Sequence, residues 1–301
     1  MRATFALFVS TSCVAAAFAA TTDAPPRLVN ARLETRSAGA GLEPVFRAAV
    51  AAARGASWIG YAVPAEGRHQ MCCGDSVDQV GSECPGCRLE GKGAFTVGGR
   101  GEKTGHGPIS LEGDETIVVL FRAESGQLER LRTFSAGCAL DAGGLPVVWL
   151  ADVRPAESVR LLRSLVSAGL SGGKLGKRVD EPALAALAFH AEPSALEALI
   201  GLARQDASAH VRGQALFWLA QRAGSKVAAV ITRAIDDDPE TEVKKRAVFA
   251  LSQLPHDEGV PLLIDTARRN RNPAVRKQAM FWLGQSNDPR ALTFFEEVLK
   301  P

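Results

Sequence analysis

Through the second half of the chain, apolar positions return every 32 residues. Val211, Val243 and Val275 share this interval, as do Ala215, Ala247 and Ala279, then Leu219, Leu251 and Leu283. Leu199, Ile231, Leu263 and Phe295 keep the same interval between these blocks, and Val179, Ala183, Leu184 and Leu187 continue the columns upstream more faintly. Inside each block the apolar residues fall three and four apart, which is one face of a helix. Each unit therefore predicts two helices, exemplified by residues 226–235 and 240–254. The turn between them is Asp236-Asp237-Asp238-Pro239, with Asp expected as N-cap and Pro at the first helical position. Helix pairs of this size bury their apolar stripes by stacking on neighbouring pairs.

Residues 21–150 show no such repeat. Residues 42–53 predict an Ala-rich helix, bracketed by Gly41 and Gly55. Trp58–Val63 predicts a strand stopped by Pro64. Residues 116–122 and 127–134 flank Glu124-Ser125-Gly126 and predict a hairpin with glycine in its turn. Residues 145–150 form a third apolar run, and residues 65–113 read as a long Gly- and Cys-rich insertion. These elements predict a small α+β domain with an antiparallel sheet. A helix over 154–168 begins the repeats, and residues 170–177, with Gly172, Gly173 and Gly176, predict a turn or joint.

The repeating units carry a further signature: Asp206 before Val211-Arg212, Asp238 before Val243-Lys244, and Asn270 before Val275-Arg276, each followed by the Ala and Leu columns. This pattern resembles HEAT repeats, particularly the short bacterial form also found in phycobilin-lyase-like proteins. The resemblance covers residues 154–301. It implies an α-solenoid that binds other macromolecules, with the Asp/Asn and Arg/Lys columns forming a ladder between units. The expected organisation is a signal peptide at 1–19, an α+β domain at 20–153 and an all-α HEAT-like solenoid at 154–301.

At 100° per residue, Val211, Ala215, Leu219 and Arg222 point to one side of their helix and Phe217 lies opposite, beside Gln214 and Gln221. The next units repeat this with Arg246, Phe249 and Gln253, then with Gln278, Phe281 and Gln285. Such a column on the concave face would suit a protein or peptide, since rings supply anchoring area and amides pair with backbone groups. The competing reading packs the three Phe against a neighbouring helix. Trp218 and Trp282, at the edge of the core stripe, are read as packing residues.

Composition narrows the class of function. A formal net charge of +2 and 6% aromatic residues in 301 give no reason to expect a nucleic-acid partner. Met1-Arg2, the broken apolar stretch to Phe18 and the small residues Ala17 and Ala19 match a cleaved export signal. No later stretch reaches transmembrane length, so the expected protein is periplasmic or secreted.

Removing Cys13 with the signal leaves Cys72, Cys73, Cys84, Cys87 and Cys138, for which export favours disulfides. Two chemical alternatives compete. Cys84-Pro85-Gly86-Cys87 has the spacing of a redox pair, but Arg88–Gly93 is a poor helix start for lowering a thiol pKa. His69, Cys72, Cys84 and Cys87 offer a ligand set for zinc. The sequence thus favours an exported, non-enzymatic scaffold without cofactor or metal. The alternative is an exported thiol-redox or zinc enzyme, with its site in the Cys-rich loop and the repeats as docking platform.

Overall fold

A computed structural model describes residues 24–69, 86–91, 114–167 and 173–300. The N-terminal part contains strands Leu28–Val29 (β1) and Arg32–Ser37 (β2), helix Leu42–Ala52 (α1), and strands Ser57–His69 (β3), Cys87–Arg88 (β4), Asp114–Glu124 (β5), Gln127–Ser135 (β6), Leu140–Asp141 (β7) and Pro146–Ala151 (β8). Two sheets result, a five-stranded one ordered β2-β8-β3-β5-β6 and a small one ordered β1-β7-β4.

The expected antiparallel sheet is corrected to a mixed one. β3, β5 and β6 are antiparallel neighbours, but β8 runs parallel to both β2 and β3 and lies between them. The crossover through α1 makes β2 and β3 parallel and leaves a gap that β8 fills, a split βαβ arrangement. β2 was not predicted, because Arg32, Glu34 and Arg36 give an edge strand no apolar signal; such charges protect an exposed edge. The hairpin forms as expected, with Ser125 at φ 50° and Gly126 at φ 75° between β5 and β6. Two central residues with positive φ match the right-handed twist of the strands they join.

Pro64 does not stop β3. It stays in register opposite Thr116, and its carbonyl accepts a hydrogen bond from Ala191 N–H at 2.9 Å. Ala65 then bridges to His190. A proline nitrogen has nothing to donate, but its carbonyl remains available to a neighbouring segment.

Helices follow: Pro155–Ser167 (α2), Gly173–Phe189 (α3), Pro193–Gln205 (α4), Ala209–Ala223 (α5), Ala228–Asp237 (α6), Thr241–Ser252 (α7), His256–Arg269 (α8), Pro273–Gln285 (α9) and Pro289–Leu299 (α10), with a 3₁₀ turn at Gly224–Val227. The expected joint at 170–177 is corrected from Gly173 onward, where α3 has already begun. The second helices of successive pairs, α3, α5, α7 and α9, pack directly on one another in a row, and α4 and α6 of the other layer touch far less. The predicted columns form the core: Val211, Ala215, Leu219, Val243, Ala247, Leu251, Val275, Ala279 and Leu283 are all buried. Among the described residues, no helix is long and apolar enough to cross a membrane.

One apolar core runs from Ala38 in the N-terminal part to Phe294 in α10. Polar contacts tie the two halves as well. Ser158 on α2 donates to the Tyr61 hydroxyl of β3 at 3.0 Å, and the Glu157 carboxylate accepts the Leu42 N–H at the start of α1 at 3.1 Å.

The Asp-Pro turn is built differently from expectation. Asp238 is the C-cap of α6 and Glu240 the N-cap of α7, so Pro239 lies outside the helix. Pro193, Pro273 and Pro289, in contrast, occupy the first turns of α4, α9 and α10.

Candidate functional site

The three predicted phenylalanines belong to a longer aromatic ladder. Phe189 at the end of α3 meets Trp218 edge-on at 5.6 Å, and Trp218 meets Phe217 at 5.2 Å. Phe217 stacks on Phe249 with centroids 5.8 Å apart, Phe249 meets Trp282 at 4.8 Å, and Trp282 meets Phe281 at 5.0 Å. Ring pairs at these separations attract beyond their buried area.

The column is neither wholly packed nor wholly open. Phe217 and Phe249 are half-buried, and Phe281 is 53% exposed. The rings therefore pack laterally along the face while keeping part of their surface open. Trp218 and Trp282 pack against the core, as read from their position at the edge of the stripe.

The flanking side chains divide by position. Gln221, Gln253 and Gln285, at the C-terminal ends of their helices, are exposed, and the Gln221 amide donates to the Gln253 amide oxygen at 3.3 Å. Gln214, Arg246 and Gln278 are half-buried. Arg246 lies so closely over Gly213 that a Cβ there would sit 2.4 Å from its Cδ. The absent side chain of Gly213 is what lets α7 bring this arginine across α5.

A pocket of about 180 Å³ opens beside the ladder, where the end of α7 meets α8 and α9. Leu254, Val260 and Leu263 line it together with Trp282, Gln253 and Gln285. Trp282 Nε1 is buried and finds no hydrogen-bond acceptor among the described residues. The pocket is not legible in the sequence, because its lining comes from three helices and combines the Gln253 and Gln285 column with residues read as core.

The unit-to-unit ladder is present in one strong rung. Arg212 forms a two-toothed pair with Asp238 of the next unit at 2.8 and 3.0 Å, and also donates to the Asp206 carbonyl at 2.9 Å. Burial opposes a charged Asp238, but the guanidinium and the Glu240 N–H hold its carboxyl below the usual carboxylate range. Arg276 instead donates to the Asn270 and Arg271 carbonyls of its own unit, while Asn272 reaches back to Thr241 at 3.0 Å.

At the opposite end of the helical row, His190 is fully enclosed. Its Nδ1 accepts the Glu192 N–H at 3.2 Å, and its Nε2 has no hydrogen-bond partner among the described residues. Burial, with the nearby Arg222 charge, pushes it down to about 4. Arg222 spans this joint, donating to the Leu187 carbonyl and pairing with Glu66, both at 2.8 Å.

Of the predicted cysteines, Cys87 on β4 and Cys138 just before β7 are both fully buried, within a second apolar core that holds Trp58 and Trp149. Cys72, Cys73 and Cys84 lie outside the described residues, as does the side chain of His69.

Comparison with known proteins bears on the helical half. A family model for HEAT repeats matches residues 177–252 and again 228–301. No curated protein matches the sequence. Among solved structures, human deoxyhypusine hydroxylase in complex with glycerol is similar at 19% identity, over 42% of this chain and 43% of that one, with a TM-score of 0.33. The CpcE–CpcF complex of phycocyanin lyase from Nostoc sp. PCC7120 is similar at 17% identity, over 47% of this chain and 89% of that one, with a TM-score of 0.37. The chain thus spans less than half of the human protein's length. With its stacked helix pairs and the recurring Val, Ala and Leu columns, the C-terminal region from 177 to 301 consists of HEAT repeats.

Proposed function

We propose that this protein is an exported, non-enzymatic scaffold whose HEAT repeats recognise a protein or peptide along the aromatic face of α5, α7 and α9. HEAT repeats commonly mediate protein interactions. The observation that carries the reading is the open aromatic ladder from Phe217 to Phe281, edged by the exposed amides of Gln221, Gln253 and Gln285. Rings of this kind give anchoring area at low conformational cost, and amides pair with the backbone of an extended partner. The closer-packed layer of second helices is taken as the concave side.

Residues 1–19 serve as the export signal in this proposal, and the mature protein is periplasmic or secreted. Cys87 and Cys138 are then oxidised. The complete burial of both sulfurs supports this. Mass spectrometry of the secreted protein, with and without reduction, tests both points through the mature N-terminus and the thiol count.

The binding reading is tested by selecting a displayed random peptide library on the wild-type protein. Selected peptides should fail to bind the triple variant Phe217→Ser, Phe249→Ser, Phe281→Ser while its helical circular dichroism is unchanged. Retained binding would reject the aromatic face as the site.

A further inference from the structure

The far end of β3 leaves the sheet and pairs with the connection between α3 and α4. Ala65 bridges antiparallel to His190, and the Ala191 N–H donates to the Pro64 carbonyl at 2.9 Å. Beside this pairing, Arg222 of α5 holds both the Glu66 carboxylate and the Leu187 carbonyl. One strand end, the end of α3, the start of α4 and the end of α5 therefore meet around His190. The next residue back, Phe189, opens the aromatic ladder against Trp218, so this joint sits at the ladder's first rung.

The His190 ring is fully enclosed, and its Nδ1 accepts the Glu192 N–H. A ring that accepts at Nδ1 is neutral and carries its proton on Nε2, which meets no acceptor among the described residues. A second proton changes the contacts in one direction. Nδ1 becomes a donor and faces the Glu192 N–H, which is also a donor. The new charge is desolvated without a bonded counter-charge. The charged groups on the surrounding elements do not relieve it. Arg222 repels it, and Glu66 of β3 is paired with Arg222. The Glu192 carboxylate accepts from the Ser194 hydroxyl. Asp180 and Glu181 lie roughly 13 Å back along α3, at 1.5 Å per residue, and Glu181 is paired with His210.

We infer that His190 is an acid-operated latch: proton uptake by its ring frees residues 64–66 of β3 from the α3–α4 connection while the shared core stays packed. In the open joint water serves both ring nitrogens, and the ring binds one proton from solvent. Closing the joint expels that proton, restores the Nδ1 acceptor and re-forms the Pro64–Ala191 and Glu66–Arg222 contacts.

Amide hydrogen exchange on the full chain, corrected for the intrinsic pH dependence of exchange, tests the latch at the Ala191 N–H. Closure holds the ring at about 4 against its ordinary 6.5, so protection at Ala191 should fall about a hundred-fold between pH 7 and pH 4. Low concentrations of urea should leave this exchange unchanged, because a local opening exposes little surface. Exchange at Leu251, in the core of α7, should instead quicken with urea. His190→Asn should keep Ala191 protection constant over the same pH range. Wild-type protection at Ala191 that ignores pH would overturn the latch. So would exchange at Ala191 that follows the urea dependence of Leu251 at pH 4, since the joint would then open only when the whole chain unfolds. Should His190→Asn fail to fold, the wild-type ring signals decide the matter by NMR: titration at the ordinary histidine value in the folded protein would also overturn it.

Discussion

Phe217 and Phe249 lie parallel, with ring planes 2° apart and centroids 5.8 Å apart, offered by equivalent positions of two successive second helices. The near-parallel stack follows from the repeat itself: identical side chains carried one unit along the row keep their orientation. It also distinguishes the three phenylalanines. Phe249 has rings on both sides, Phe217 and Trp282, whereas Phe281 stands at the open end.

Truncating the central ring should therefore destabilise more than truncating the terminal one. Phe249→Ala is expected to lose about 2 kcal/mol, less than the 3–5 kcal/mol of a fully buried phenylalanine, and Phe281→Ala under about 1 kcal/mol. Urea unfolding of the two variants measures this difference. Equal losses would mean that the rings do not act as a packed ladder.

Arg212 and Asp238 predict a second asymmetry. The pair is well enclosed, with side-chain exposures of 10% and 6%. Arg212→Ala leaves a partly buried carboxylate without its cation and should cost about 3 kcal/mol. Lys244→Ala, which gives up one exposed bond to the Asp236 carbonyl, should cost under about 0.5 kcal/mol. Because the Asp238 carboxyl is held below its unfolded value, its contribution is present at neutral pH. It fades as pH falls through the ordinary carboxylate range and below. An Arg212→Ala protein whose stability matches the wild type would show that neighbouring units do not depend on this rung.

His190 acts over a different pH window. Its folded value of about 4 lies below the ordinary 6.5, so the folded state favours the neutral ring. Its full contribution is present above pH 6.5, shrinks as pH falls toward 4 because only the unfolded chain takes up the proton, and changes no further below. The loss across that window should be roughly 3 kcal/mol. His190→Asn keeps an acceptor for the Glu192 N–H and removes the titration. The difference between wild-type and variant stabilities, followed by urea unfolding from pH 7 to 4, should trace this loss. A difference that stays constant with pH would contradict the assignment.

Two glycines should answer oppositely to alanine. At Gly213 the added methyl group meets the flexible Arg246 side chain, which can move aside, and helix propensity improves by up to about 1 kcal/mol. At Gly259 it meets the Leu251 carbonyl, which is backbone and cannot yield without displacing α8. Gly213→Ala should be near neutral or stabilising, and Gly259→Ala should lower the thermal midpoint by several degrees, the scale of about 1–2 kcal/mol in a chain of this size. Similar midpoints for both variants would show that α8 does not need this approach.

The helical half was legible because its order is local. Each core stripe is built from residues three and four apart, and the 32-residue register makes Val211, Val243 and Val275 corroborate one another. The N-terminal sheet was less so. Whether β8 lies between β2 and β3 depends on contacts 89 to 114 residues apart, as in Trp58 opposite Val147 and Arg32 opposite Pro146, and no local pattern encodes them. β2 carries polar residues, and the continuation of β3 through Pro64 depends on Ala191 and His190 in the helical half. Asp238 was read as a helix start because its residue type fits one; its bond with Arg212, from the preceding unit, was implied only by the family resemblance. The phenylalanine column could be placed by helix geometry, but its lateral stacking and the pocket beside Trp282 required the positions of three neighbouring helices.

A peptide partner lying along the ladder would contact Phe249 and Phe281 directly. This contact is tested most directly by fluorine NMR on protein carrying 4-fluorophenylalanine at one position at a time, titrated with a library-selected peptide. Saturable shifts are expected at positions 249 and 281 and none at the buried Phe46 and Phe294. Unmoved signals at 249 and 281 under saturating, independently verified binding would place the partner elsewhere and contradict this contact.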